Sequence, residues 1–125
     1  EHVMIVHGDD GLDEISICSE TSISELKDGQ ISEYKISPKD FGLNISPLDQ
    51  ITASSPQESL LLVNRAFEGE KSAVQDMIAL NSGAALYIAN IVNSMSDGVE
   101  MAFDLMNKGL ASQKLSNYVK VSNES

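Results

Sequence analysis

The residues that could do chemistry are concentrated near the start of the chain. Four carboxylates occupy six positions after an apolar segment: Asp9, Asp10, Asp13 and Glu14. Mg²⁺ takes one or two protein carboxylates and completes its shell with waters and substrate phosphates. Two carboxylates about 5 Å apart repel by roughly 3 kcal/mol at an effective dielectric of 20, which a dication or a solvated turn must relieve. The pattern permits a metal–phosphate site at Asp13 and Glu14, whereas a plain solvated turn is the commoner use of such residues.

The same positions exclude a calcium loop of the EF-hand type. Counted from Asp9, that pattern requires Asp or Asn third and Gly sixth, and the sequence has Gly11 and Glu14 there. His7 could contact a ligand or orient a metal-bound water, and a hydrogen bond to backbone is an equal alternative. The sequence gives no support for a Ser-His-Asp or Cys-His catalytic site. Its two histidines, His2 and His7, both lie at the extreme start of the chain.

The charge balance argues against polyanionic partners. The chain has 125 residues, 19 of them acidic and 8 basic, for a net charge of −11. Phosphate backbones and anionic membranes attract clusters of Lys and Arg, so we predict neither nucleic-acid nor membrane binding. Cys18 is the only cysteine, which excludes an internal disulfide and favours a reducing compartment, the cytoplasm. The length fits one domain.

The part of the chain that must position the acidic loop has strand character. The apolar run VMIV predicts a strand buried on both faces, as in a parallel sheet. Asp28-Gly29 lies between two β-rich runs and predicts a hairpin. The predicted strands span residues 3–7, 14–18, 22–26 and 30–36. Ligands of α/β sheets bind at the carboxyl ends of strands, which is where the acidic loop falls.

The second half has helical character. Pro38, Gly42 and Pro47 predict a loop over residues 37–54. Ser55 is a predicted N-cap, with Pro56 at the first helical position and Glu58 completing a capping box. Four helices are predicted: the first ends at Gly69, the second spans about 72–92, the third is capped by Ser96 and ends before Gly109, and the fourth spans about 111–119.

Within the second predicted helix, a small-residue run and one amide predict packing more than catalysis. Residues 82–85 are small, which allows another helix to approach closely. Asn81 reads as a buried hydrogen-bond partner, because buried polar side chains are normally paired. The predicted fold class is therefore α/β, with short strands and a hairpin over about 3–36 and a helical half over about 55–119.

Three strings, taken in order, resemble anthranilate phosphoribosyltransferase. They are VMIVHGDDGLDEISI at 3–17, the ELKDGQI hairpin followed by SPKDFGL at 37–43, and FEGEKSAVQDMIALNSGAALYIA at 67–89. HGxxGLDE and LNxGAALY are specific in combination, whereas neither alone would suffice. The resemblance extends to about residue 110 and matches the C-terminal part of that enzyme.

The resemblance implies an enzyme of tryptophan biosynthesis. That family transfers phosphoribosyl from phosphoribosyl pyrophosphate (PRPP) to the amine of anthranilate, displacing pyrophosphate through an oxocarbenium-like state. It implies a catalytic domain like that of nucleoside phosphorylases and phosphoribosyltransferases, a homodimer, and Mg²⁺ held by Asp13 and Glu14. Substrate contacts are assigned to His7 and Gly8.

Other strings of the family are absent from this sequence. GTGGD, which cradles the diphosphate, KHGNR and NxST all lie upstream in the family. We therefore expect residues 1–125 to be a C-terminal piece of the α/β catalytic domain, without the N-terminal helical domain and the first part of the sheet. Alone it should be inactive, with no catalytic residue of its own, and should associate through an exposed strand.

Two other functions stay open. A nucleoside phosphorylase-like enzyme would share the domain architecture, although the Asp13-Glu14 pair favours the diphosphate-using branch. A non-enzymatic acidic interaction module would stay monomeric and would not respond to magnesium with PRPP.

Overall fold

The computed structural model of the chain describes residues 1–124 and has three strands followed by four helices. The strands are β1 His2–Gly8, β2 Thr21–Lys27 and β3 Gln30–Ile36, and the helices are α1 Pro56–Phe67, α2 Ala73–Ile88, α3 Met95–Asn107 and α4 Leu110–Asn123. Two 3₁₀ turns, Pro38–Phe41 and Leu48–Gln50, lie between the two halves. This order confirms the predicted fold class, with a β-rich part followed by a helical part.

The three strands form one antiparallel sheet in the order β1-β2-β3. Burial alternates along β1, where Met4 and Val6 pack against the core while Val3 and Ile5 are exposed. Within residues 1–124, β1 is therefore buried on one face and paired antiparallel, which differs from the predicted strand buried on both faces of a parallel sheet. β2 returns beside β1 directly after the acidic loop, and antiparallel neighbours need no crossover helix.

The predicted strand over residues 14–18 is wrong. That segment has irregular backbone, although Ile15 and Ile17 are buried in the core with the alternation of a strand. Ser16 N–H donates to Thr21 Oγ1 at 3.0 Å, so a side chain takes the place that a neighbouring strand would have filled. Sequence periodicity cannot distinguish the two arrangements.

The predicted hairpin is confirmed. Lys27 pairs with Gln30, and the two residues between them have positive φ, 52° at Asp28 and 77° at Gly29. Positive φ at both central positions matches the twist of antiparallel strands, and Asp-Gly is one of the pairs that adopt it readily.

Serine caps begin three of the helices. Ser55 and Ser72 accept hydrogen bonds from the third residue after each of them. The cap at Ser55 was predicted, and the cap at Ser72 agrees with the predicted start of the second helix. Glu58 accepts from Ser54 N–H and not from Ser55 N–H, so the predicted capping box is not formed. α3 is capped by Ser94, not by Ser96 as predicted, because Ser94 holds the extended backbone that an N-cap requires.

Two helix lengths also differ from the sequence prediction. α2 ends at Ile88 and not near residue 92, because Asn90 adopts a left-handed conformation with φ of 56°. Ile91 N–H then donates back to Leu86 C=O at 3.1 Å and closes the helix end. α4 extends beyond its predicted end, to Asn123.

α2 and α3 cross closely at the centre of the helical half. A Cβ at Gly83 would lie 2.6 Å from the backbone N of Val99, and a Cβ at Gly98 would clash with Gly83 C=O. The small run of α2 therefore serves packing, as predicted. The core between helices and sheet includes Leu80, Val99 and Met106. Across residues 1–124, each helix is too short or too polar to cross a bilayer.

Candidate functional site

The acidic loop begins where β1 ends and folds back on Gly8. Gly8 N–H donates to Leu12 C=O at 2.9 Å, and Gly11 N–H donates to Gly8 C=O at 2.9 Å. Asp10 Oδ1 accepts from Leu12 N–H at 3.2 Å. Gly11 has a φ of 94°, which other residues rarely adopt. The loop is thus a closed turn, and Leu12 is fixed on its far side.

Gly8 is required by close packing under this turn. A Cβ at Gly8 would lie 2.5 Å from Asp10 Oδ1 and 3.3 Å from Ser16 Cβ. Gly8 is buried, and both its N–H and its C=O are used inside the loop. Its role as a substrate contact stays a prediction.

Two of the four acids are paired with other side chains of the protein. Asp9 pairs with Lys35 Nζ at 2.5 Å, and this hydrogen bond holds the pKa of Asp9 below its ordinary value. Asp10 accepts from Ser16 Oγ, on the core side of the loop. Desolvation raises the pKa of Asp10, but hydrogen bonds from Ser16 and from Leu12 N–H outweigh it and lower the pKa. Both carboxylates thus have partners within the protein, Asp9 on β3 and Asp10 within the turn, although both side chains are exposed.

The other two acids, Asp13 and Glu14, are exposed as well. Over residues 1–124 the structure brings no group of three His, Cys, Asp or Glu side chains into metal-binding range. Zinc or calcium would require more protein ligands than two. Two exposed carboxylates fit Mg²⁺, which completes its octahedron with waters and phosphate oxygens.

Asn81 fixes the backbone directly after these acids. Its Oδ1 accepts from Ile15 N–H at 3.0 Å, and its Nδ2 donates to Ile15 C=O at 2.9 Å. Nδ2 also donates to Met77 C=O at 3.0 Å on its own helix. This arrangement confirms that Asn81 is a hydrogen-bond partner of the interior.

His7 lies on the outer face of the sheet, one residue before the loop. It stands opposite Ser22 on β2, which in turn stands opposite Lys35 on β3. The imidazole is exposed, and Asp9, paired with Lys35, shares this end of the sheet. The predicted site residues thus gather at one end of β1, where His7 borders the loop and Asp13 and Glu14 lie on its outer side.

This arrangement can be compared with known proteins. Residues 1–112 match the model of a family described as "Glycosyl transferase family, a/b domain". The chain belongs to this family. Since the match includes the sheet, the acidic loop and most of the helical half, it covers every residue of the candidate site.

Relatives within the glycosyl transferase family carry a more specific name. Anthranilate phosphoribosyltransferase of Halorhodospira halophila is 45% identical over 124 residues, and that of Vesicomyosocius okutanii is 43% identical over 122 residues. These matches cover 99% and 98% of this chain and 36% of each relative. The chain therefore spans about a third of the length of these relatives.

Solved structures share the fold. Anthranilate phosphoribosyltransferase from Thermus thermophilus is 32% identical with a TM-score of 0.85, over 95% of this chain and 35% of the other. The Saccharomyces cerevisiae enzyme, in complex with PRPP and Mg, is 20% identical with a TM-score of 0.84, over 98% and 35%. At that identity the yeast structure supports the fold alone.

The sequence did not indicate a groove that runs beside the loop of this glycosyl transferase domain. Its volume is about 490 Å³, and Glu14 and Asn81 lie in its wall. The rest of the wall is mainly apolar and includes Leu48, Ile51, Leu62, Val63, Met77 and Ile78. These side chains come from three separate elements, so no local pattern could have revealed the groove. Glu14 is the wall residue that also belongs to the exposed acidic pair.

A polar cluster at the other end of β1 was missed as well. His2 Nε2 lies 2.6 Å from Glu25 Oε1, and Tyr34 OH donates to Glu25 Oε2 at 2.7 Å. The His2 ring contacts Tyr87 edge-on, and Lys27 donates to Tyr87 OH at 3.1 Å. Alternation along β2 places Glu25 on the buried face, and this was the one available signal.

Proposed function

We propose that this chain is the C-terminal part of the α/β catalytic domain of an anthranilate phosphoribosyltransferase. The full enzyme would transfer phosphoribosyl from PRPP to anthranilate in tryptophan biosynthesis. The observation that carries the proposal is the likeness to two relatives of that name, at 43% and 45% identity over nearly the whole chain. The N-terminal helical domain and the first part of the sheet would belong to the remaining two-thirds of the enzyme.

Asp13 and Glu14 would hold Mg²⁺ in this enzyme. Both carboxylates are exposed, on a loop whose other acids are already paired. A yeast enzyme of the same fold is in complex with PRPP and Mg, which supports the choice of ion. When bound, the ion would neutralise charge on the departing pyrophosphate. This chain's own contribution is to hold two carboxylates in a fixed place at the carboxyl end of β1.

His7 would contact the substrate from the sheet side of the loop. Its ring is exposed beside Asp9 and Lys35, at the same end of β1. Gly8 would act through its shape, because a side chain there would displace Asp10 and open the turn. Neither residue breaks a bond of the substrate, and we propose no catalytic residue within this chain.

The remaining proposals concern the setting of the full enzyme. We place it in the cytoplasm, because a lone cysteine suits a reducing compartment. The homodimer is proposed from the resemblance to anthranilate phosphoribosyltransferase. The isolated chain would be inactive, since the diphosphate-cradling strings of the family lie outside it. It would also associate through β1, which forms an edge of the sheet and exposes Val3 and Ile5.

The test is the double variant Asp13→Asn with Glu14→Gln in the full-length protein. Loss of both carboxylate charges weakens ion binding, so we expect turnover to fall by about tenfold or more, with a smaller loss at high magnesium. Anthranilate-dependent consumption of PRPP, measured over a magnesium series, gives both values.

A matched control removes the same two charges from the helical half, by Glu68→Gln with Glu100→Gln, both exposed. This control should keep its rate and its magnesium dependence. A wild-type rate from the Asp13 and Glu14 variant would remove the metal assignment. Activity with a nucleoside and phosphate, and none with PRPP, would instead favour a phosphorylase.

A further inference from the structure

The two exposed acids form a short bridge between two fixed points. Leu12 is held before them, where its C=O accepts from Gly8 N–H and its N–H donates to Asp10. Ile15 is held after them by both atoms of the Asn81 amide, at 3.0 and 2.9 Å. The freedom of the Asp13-Glu14 backbone is therefore limited from both sides.

We propose that Asn81 is a positioning residue for the metal site at Asp13 and Glu14. The inference rests on the proposed function, because it assigns a role toward the ion that those acids would hold. Asn81 lies on α2, 66 residues from Ile15 in sequence, and connects the helical half directly to the acidic loop.

An asparagine suits this place because it carries an acceptor and a donor side by side. It pairs with the N–H and the C=O of one residue, as a neighbouring strand would. Ile15 is 2% exposed, so its backbone groups would otherwise lie in the core without partners. An unpaired buried group costs about 1–3 kcal/mol, which is enough to move the segment.

α2 is itself a rigid support for the amide. Leu80, beside Asn81, is fully buried in the core, and Gly83 meets the backbone of α3 without space between them. Two neighbouring carboxylates repel, and a loop fixed on one side only would let them separate. Anchors on both sides keep the acids together before the ion arrives. Groups that hydrogen-bond a metal's ligands typically change its affinity by about 10- to 100-fold, and Asn81, which acts one residue away, should fall at the lower end of that range.

The test compares Asn81→Leu with a matched control in the full-length protein. Leu keeps the approximate size and removes both hydrogen bonds to Ile15. We expect the dissociation constant for Mn²⁺, measured by electron paramagnetic resonance with PRPP present, to rise by about tenfold. The magnesium concentration for half-maximal activity should rise in parallel, with turnover at saturating magnesium within about twofold of wild type. Asn81→Ser, which is smaller and polar, serves if the Leu variant does not fold.

The control is Gln75→Leu, on the same helix. Gln75 is 2% exposed, and its amide donates to the backbone C=O of Ala66 at 3.1 Å. The substitution therefore removes a comparable buried hydrogen bond at a distance from the acidic loop. It should lower the melting temperature and leave Mn²⁺ affinity unchanged. Equal loss of stability in the Asn81 and Gln75 variants, with unchanged Mn²⁺ affinity in both, would overturn the positioning role. Unchanged affinity in the Asp13 and Glu14 variant would instead refute the metal site itself.

Discussion

At the scale of single residues, the acidic loop separates into two pairs with different roles. All four are exposed, but Asp9 is paired with Lys35 and Asp10 with Ser16, whereas Asp13 and Glu14 are proposed to hold an ion. The sequence predicted the second pair from adjacency and from its resemblance to a known family. It could not predict the first pair, because Lys35, which pairs with Asp9, lies 26 residues away in sequence.

The stability of the sheet should depend on the ionisation of Glu25, which lies on its buried face. Desolvation raises its pKa, but hydrogen bonds from Tyr34 and His2 outweigh it and lower the pKa below the ordinary value. A carboxyl with a lowered pKa stabilises the fold above its ordinary pKa. That stability is lost as the pH falls through the folded-state value.

Glu25→Gln should therefore destabilise the chain at pH 7 by about 1–3 kcal/mol, since two hydrogen bonds to a charged group are weakened. The difference from wild type should shrink as the pH falls through the lowered folded-state pKa of Glu25, because the wild-type carboxyl then becomes neutral like the Gln amide. Urea unfolding at pH 7 and over a series of lower pH values measures it. Glu33→Gln, on the exposed β3, is the control and should change little. A difference independent of pH would contradict the role of the charge.

At the scale of elements, the sequence predicted best where the signal was local. Asp28-Gly29 fixed the hairpin, and Ser55 with Pro56 fixed the start of α1, because turn and cap chemistry involve neighbouring residues only. The strand predicted around Ile15 and Ile17 was wrong, because the irregular backbone there depends on a side chain from α2. Local patterns carry no information about that partner.

The crossing of α2 and α3 gives a prediction at this scale. A Cβ from Gly83→Ala would lie 2.6 Å from the backbone N of Val99, which cannot move without shifting α3. The gain in helix propensity is about 1 kcal/mol, whereas overpacking costs about 1–3 kcal/mol or more, so we expect a net loss of stability. Urea unfolding measures the loss. Ser82→Ala, the neighbouring substitution, should stay within about 0.5 kcal/mol, and an unchanged or higher stability for Gly83→Ala would disprove the close contact.

At the scale of the whole molecule, the chain spans about a third of the relatives that it matches. The order of strands before helices was predictable from composition, because the β-rich and helical signals are segregated along the sequence. The sequence did not predict the pairing direction of β1 or the groove beside Glu14, because both depend on how elements distant in sequence pack together.

The most direct test of the central claim is a crystal structure of the full-length protein with PRPP and Mg²⁺. The account predicts an ion about 2.1 Å from a carboxylate oxygen of Asp13 or Glu14, with its remaining ligands supplied by waters and diphosphate oxygens. An ion held entirely by other groups, with both of these carboxylates turned toward bulk water, would contradict it.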